Sequence, residues 1–158
     1  MTDKKNNYET LKSFATANGA SLFGTADITK IRGSFRSLPE NSLNTAISIA
    51  FSLSRAILEG IEDRPTKLYF SHYKQTNYFL DNLALRLTNF IQEAGYDALP
   101  VPASQVIDRE NQTGHLSHRQ IASLAGIGWI GRNNLLVTSK FGAGVRLATI
   151  LTDFPLSR

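Results

Sequence analysis

The 158-residue chain is 42% hydrophobic and 19% charged, enough for one globular core and too little for two comfortable ones. It contains no cysteine, which excludes iron-sulfur clusters, thiolate zinc sites, redox dithiols and cysteine nucleophiles from this chain itself. Seventeen Lys and Arg against thirteen Asp and Glu leave a net charge of +4. The basic residues are scattered from Lys4 to Arg158 without a run, which argues against a nucleic-acid groove and leaves anionic small molecules open.

The polar start, Met1-Thr2-Asp3-Lys4-Lys5, is not followed by an apolar run suited to a signal peptide, and the longest weakly polar stretch, residues 121–131, is too short for a bilayer. A single cytoplasmic domain over residues 1–158, with no membrane attachment, is the expectation. Tyr8, Leu11, Phe14 and Ala15 recur at helical spacing before Asn18-Gly19, predicting an opening amphipathic helix. Residues 21–26 and 45–53 read as strands. In the second, Ile47, Ile49 and Phe51 share one face, while Ala46, Ser48, Ala50 and Ser52 on the other admit a close neighbour, either another element or a flat ligand.

Residues 66–94 place apolar side chains at a period near 3.6 and end at Gly95, so their back half is predicted helical. The front half, Tyr69-Phe70-Ser71-His72-Tyr73, suits either core packing or a loop folded over a pocket. A strand follows at residues 97–101, after which Pro100 and Pro102 force extended backbone into a polar loop over residues 103–114, a length associated with function or mobility. Ser117-His118-Arg119-Gln120 matches a capping box, predicting a helix that starts at His118 and stops at Gly126. Residues 134–138 and 145–151 read as two strands joined by a hairpin through Ser139-Lys140-Phe141-Gly142-Ala143-Gly144. A hairpin makes part of the sheet antiparallel and favours an α+β fold over a doubly wound one.

Gly126-Ile127-Gly128-Trp129-Ile130-Gly131 satisfies G-x-G-x-x-G, but here the helix precedes the glycines and the strand follows. No helix N-terminus is then aimed at a pyrophosphate, which counts against a dinucleotide site. Two readings remain: a close-approach surface for a large ligand with Trp129 presented to it, or a tight turn whose Trp129 fills the core. His115-x-x-His118 has no third ligand nearby, so no metal is assigned. His118 itself reads either as a ligand contact or as a half-exposed residue at a helix start. No Ser-His-Asp order stands out, and Asp108, Glu110 and Asp153 are too widely spaced to pair, so the catalytic residue stays unassigned.

Residues 118–138, followed by Leu151-Thr152-Asp153-Phe154-Pro155-Leu156, combine an A-G-x-G-W-x-G-[KR]-[NH] core with a T-D-x-P-L close. In these motifs, and in residues 96–105, the chain resembles the N-terminal domain of the epoxyqueuosine reductase family, most clearly over residues 67–156. The resemblance implies a cobalamin-binding, nitroreductase-like α+β domain with a mixed or antiparallel sheet flanked by helices. It is related to the corrinoid domains of reductive dehalogenases, and longer members continue into a double 4Fe-4S domain. Low-valent cobalt would act on a small-molecule substrate with electrons from those clusters. This chain ends at Arg158, about where such a module would begin, so the iron-sulfur donor is expected in trans or in a missing C-terminal domain.

Together, resemblance and residue chemistry place corrinoid contacts at Ser104, Gln105, His118, Gly126, Gly128, Trp129, Gly131, Arg132 and Asn133. Arg132, at the family's Lys/Arg position, suits phosphate or amide oxygens, or else faces solvent. Where family members carry an aspartate in a V-D-S-A-P segment, this chain has Val101-Pro102-Ala103-Ser104, and Pro102 has no proton to donate. The alternatives are an FMN-dependent nitroreductase-like homodimer and a non-catalytic binding domain of a longer iron-sulfur protein.

Overall fold

The computed structural model describes residues 2–39, 42–103 and 115–158. In chain order it contains α1 (Thr2–Ala17), β1 (Leu22–Asp27), a single 3-10 turn (Arg32–Ser34), β2 (Thr45–Ser52), α2 (Arg55–Glu59), α3 (Lys67–Glu93) and β3 (Ala98–Val101). There follow α4 (His118–Leu124), β4 (Trp129–Ile130), β5 (Leu136–Val137) and β6 (Val145–Thr152). Strands β1, β2, β6 and β3 form one sheet in that order, and every neighbouring pair is antiparallel. The domain is therefore α+β, with an antiparallel sheet flanked by helices.

The alternation in β2 sorts the two faces. Ile47 and Ile49 pack with Ala148 and Ile150 of β6 against Leu11 and Ala15 of α1 and Leu80, Leu83, Leu87 and Ile91 of α3. Phe51, on the same face, meets Phe79 with ring centroids 5.0 Å apart. On the opposite face Ala46 and Ala50 leave room for α4, whose Ile121 and Ala122 are buried there. The close neighbour of those small residues is thus another element.

Helices α1, α3 and α4 all end the same way. Gly19, Gly95 and Gly126 adopt positive φ, and the amide one residue beyond each returns to the final turn: Ala20 to Ala15, Tyr96 to Ile91 and Ile127 to Ala122. These are Schellman closures, which satisfy carbonyls the helix would otherwise leave orphaned. At the other end of α4 the Ser117 hydroxyl accepts from the Gln120 amide, as the capping box predicts.

Three sequence expectations change. Tyr69-Phe70-Ser71-His72-Tyr73 is not a loop: α3 runs through it, started by the Thr66 hydroxyl accepting from the Tyr69 amide at 3.0 Å. The last two strands are not paired as a hairpin, because β5 pairs with β4 in a separate two-stranded sheet while β6 lies between β2 and β3. Residues 139–144 close only an isolated bridge between Thr138 and Gly142. The third is β4 itself, which falls inside the presumed turn.

The T-D-x-P-L close is a latch. Thr152 donates to the Asp97 carbonyl at 2.6 Å, and Asp153 accepts from the Asp97 amide at 2.9 Å. Phe154 and Leu156 are buried in the α1/α3 core, and Asn7 of α1 donates to the Pro155 carbonyl. Among the described residues, no helix is long and apolar enough to cross a membrane.

Candidate ligand-binding cleft

The cleft arises from unequal strand lengths. β3 pairs with β6 only from Val101–Thr149 to Ala98–Thr152. Residues 145–148 of β6 pair with β2 on one side and, among the described residues, with no strand on the other. A cavity of about 750 Å³ opens at this bare edge and reaches both faces of the sheet. Tyr69 and Tyr73 of α3 line it from one side, His118 and Arg119 of α4 with Leu136 of β5 from the other, and Val145, Arg146 and Leu147 form its floor. Its volume lies in the upper part of the range typical of ligand sites, roughly 300–1,000 Å³.

The lining is cationic and aromatic. Arg36, Arg119 and Arg146 line it with His115 and His118, and among the described residues no Asp or Glu does. Arg119 is committed to the Asn134 carbonyl. Arg146 stacks its guanidinium on the Tyr73 ring, 4.0 Å from the centroid. Its Nε is buried without a hydrogen-bond partner.

His118 is held at both ring nitrogens. Nε2 lies 2.8 Å from the Pro102 carbonyl, which can only accept, so Nε2 carries the proton. Bare Nδ1 then accepts from the Thr149 hydroxyl at 2.8 Å. Burial pushes its pKa below the ordinary 6.5, with the Arg146 charge adding to the shift and the Pro102 hydrogen bond and Asp81 opposing it. The imidazole is therefore neutral and ties α4 to β6 and to the chain leaving β3. Asp81 of α3 holds the same exit by accepting from the Ala103 amide at 2.8 Å. His115, three residues before His118, turns instead to the Arg36 carbonyl, and among the described residues no metal-binding cluster of His, Asp and Glu exists.

Of the residues singled out from sequence, His118 lines the cavity. Ser104 and Gln105 lie outside the described residues. Gly126, Gly128, Trp129, Gly131, Arg132 and Asn133 sit on the turn and β4–β5 hairpin whose Leu135 and Leu136 form part of the wall, and are themselves outside the lining. Their spacing has local causes. Gly126 closes α4. A Cβ on Gly128 would lie 2.2 Å from the Val137 carbonyl oxygen, so the close approach at this glycine is to β5. Asn133 accepts from the Leu135 amide, and Asn134 takes φ 62° to finish the hairpin turn. Trp129 is 53% exposed, so it does not fill the core.

Sequence reasoning missed Arg36, Arg119 and Arg146. The signal for Arg146 was present: it is the one charge in the otherwise apolar run Val145-Arg146-Leu147-Ala148-Thr149-Ile150-Leu151.

No family model matches the chain. Over 43 residues it is 46% identical to an epoxyqueuosine reductase of Listeria monocytogenes and 44% identical to one of Bacillus cereus, segments covering 27% of this chain and 11% of each relative. The structure superposes on a catabolic reductive dehalogenase, NpRdhA, with TM-score 0.80 over 98% of this chain and 22% of that one, at 17% identity. A reductive dehalogenase described as carrying out B12-dependent dehalogenation matches equally well. This chain shares their fold. It also superposes on an epoxyqueuosine reductase from Streptococcus thermophilus with TM-score 0.61, over 94% of this chain and 46% of that one. The chain thus spans under half of each solved relative; its sequence likeness to the epoxyqueuosine reductases is confined to 43 residues, and its likeness to the reductive dehalogenases is one of fold.

Proposed function

We propose that this chain is the corrinoid-binding domain of an oxidoreductase, with cobalamin seated in the cleft at the bare edge of β6. The carrying observation is that cleft, cationic and walled by aromatics, in a fold shared over 98% of the chain with a reductive dehalogenase. Cobalamin is a broad ring fringed with amides and bearing a phosphate. A donor of the kind required lines the cleft: the guanidinium of Arg146. Bound, the cofactor supplies the redox-active cobalt. The chain's own residues bind and orient it, and Tyr69 and Tyr73 wall off water on the α3 side. Electrons come from an iron-sulfur protein or domain, because this chain has no thiolate to hold a cluster. Pro102 leaves no acid at the family's aspartate position, so the substrate proposed is a small molecule rather than a modified tRNA.

Equilibrium dialysis against cobalamin, with FMN in parallel, tests the reading. Ala143→Trp puts bulk at an exposed lining position and should abolish cobalamin retention, while Trp129→Ala, on the hairpin outside the lining, should retain it. The reverse pattern would move the site to the hairpin. Capture of FMN alone would make this a flavoprotein of the nitroreductase-like kind.

A further inference from the structure

The cleft holds one cation whose arrangement the fold itself does not explain. Arg146 sits on β6 opposite Phe51, on the face that packs against α3, at the end of the strand that β3 leaves bare. The strand is otherwise apolar there, and Arg146 is half-buried, so part of its guanidinium is withdrawn from water. In this domain, among the described residues, the compensation is incomplete. The guanidinium carbon lies 4.0 Å from the centroid of the Tyr73 ring, a cation–π contact that covers one side of the group. No salt bridge to Arg146 occurs among the described residues, and Nε is buried with no acceptor. Arg119, by contrast, donates an Nη1–H to the Asn134 carbonyl. The contact with Tyr73 also restricts the guanidinium of a residue that lines the cleft, so its terminal N–H groups can meet a bound group at little further entropic cost.

We infer that Arg146, stacked on Tyr73, is an oxyanion-docking subsite of the cleft that takes the carboxylate or phosphate group of a bound ligand. The inference rests on the cleft being the ligand site and is independent of which cofactor occupies it. Tyr73 is a positioning residue: it orients the guanidinium, and Arg146 makes the contact.

The experiment is a titration of the full chain with inorganic phosphate and, separately, with benzoate, following the Arg Nε–H resonances by NMR. The Arg146 peak is assigned by its loss in Arg146→Lys. Saturable movement of that peak is the expected result. Saturation by phosphate alone identifies a phosphoryl group, and saturation by benzoate alone identifies a substrate carboxylate. Arg146→Lys, which keeps the charge and loses the fork, should weaken the anion roughly ten- to a hundredfold, the range for a charged hydrogen bond. Tyr73→Leu should weaken it less, by about tenfold or under, through lost orientation. An Arg146 peak indifferent to both anions, in a protein with unchanged circular dichroism, would overturn the inference. Retention of cobalamin by that same protein would show that the subsite had failed while the cofactor assignment stood. Anion binding without cobalamin retention would show the converse.

Discussion

His118 shows how one side chain can line a cleft and yet be structural. Both ring nitrogens are engaged within the protein, Nε2 with Pro102 and Nδ1 with Thr149, so a ligand could use the imidazole only by displacing one of them. Burial lowers its pKa in the folded state, so the folded protein binds fewer protons at this site than the unfolded chain does. The contribution to stability is full above the unfolded value of 6.5 and is lost progressively as pH falls through it. Urea unfolding should accordingly show a lower midpoint at about pH 5.5 than at about pH 7.5, and His118→Gln should flatten that difference. An unchanged slope in the variant would remove His118 as its source. At neutral pH the same substitution should destabilise by about 1–3 kcal/mol, the cost of leaving a buried partner unsatisfied.

At the scale of elements, the glycine segment separates two kinds of close approach. Gly126 needs its positive φ to close α4, and Gly126→Ala should cost about 1 kcal/mol in urea unfolding. Gly128→Ala should cost more, because the added carbon meets the Val137 carbonyl oxygen at 2.2 Å and the β4–β5 pair must shift. Equal costs would mean that the hairpin yields freely. Much of this was legible in the sequence. The stops at Gly19, Gly95 and Gly126, the Ser117 cap and the two faces of β2 are local signals, each decided within a few residues. The partner of β5 was not legible. Two apolar runs around a glycine-bearing turn look like a hairpin, but β6 is central in the sheet, and β2 and β3 take its edges. Pairing of that kind is decided by distant segments. The cleft was hidden for the same reason: it depends on β3 being four residues long where β6 is eight.

At the scale of the molecule, the C-terminal segment and α1 lock the helical layer onto the sheet. Thr25 of β1 donates to the Ser157 carbonyl at 2.5 Å, the Ser157 amide reaches the Lys4 carbonyl, and Leu156 is 2% exposed. Leu156→Ala should cost about 2–5 kcal/mol, read from the urea midpoint at constant slope. A loss well under that range would show that the latch is peripheral. The latch also bears on the cleft, because Thr152 and Asp153 pin Asp97 and thereby set where β3 begins, while Asp81 and His118 hold the chain where it leaves β6. The T-D-x-P-L motif therefore fixes the start of the strand beside the cleft.

Binding of the proposed corrinoid can be read directly. The most direct measurement is an anaerobic visible-spectrum titration of cobalamin with the purified chain, in oxidised form and after stepwise reduction, with FMN run in parallel. A corrinoid site would give a saturable change in the cobalamin spectrum and leave the FMN spectrum that of the free flavin. A cobalamin spectrum unchanged in both oxidation states, with protein that is folded by circular dichroism, would contradict it.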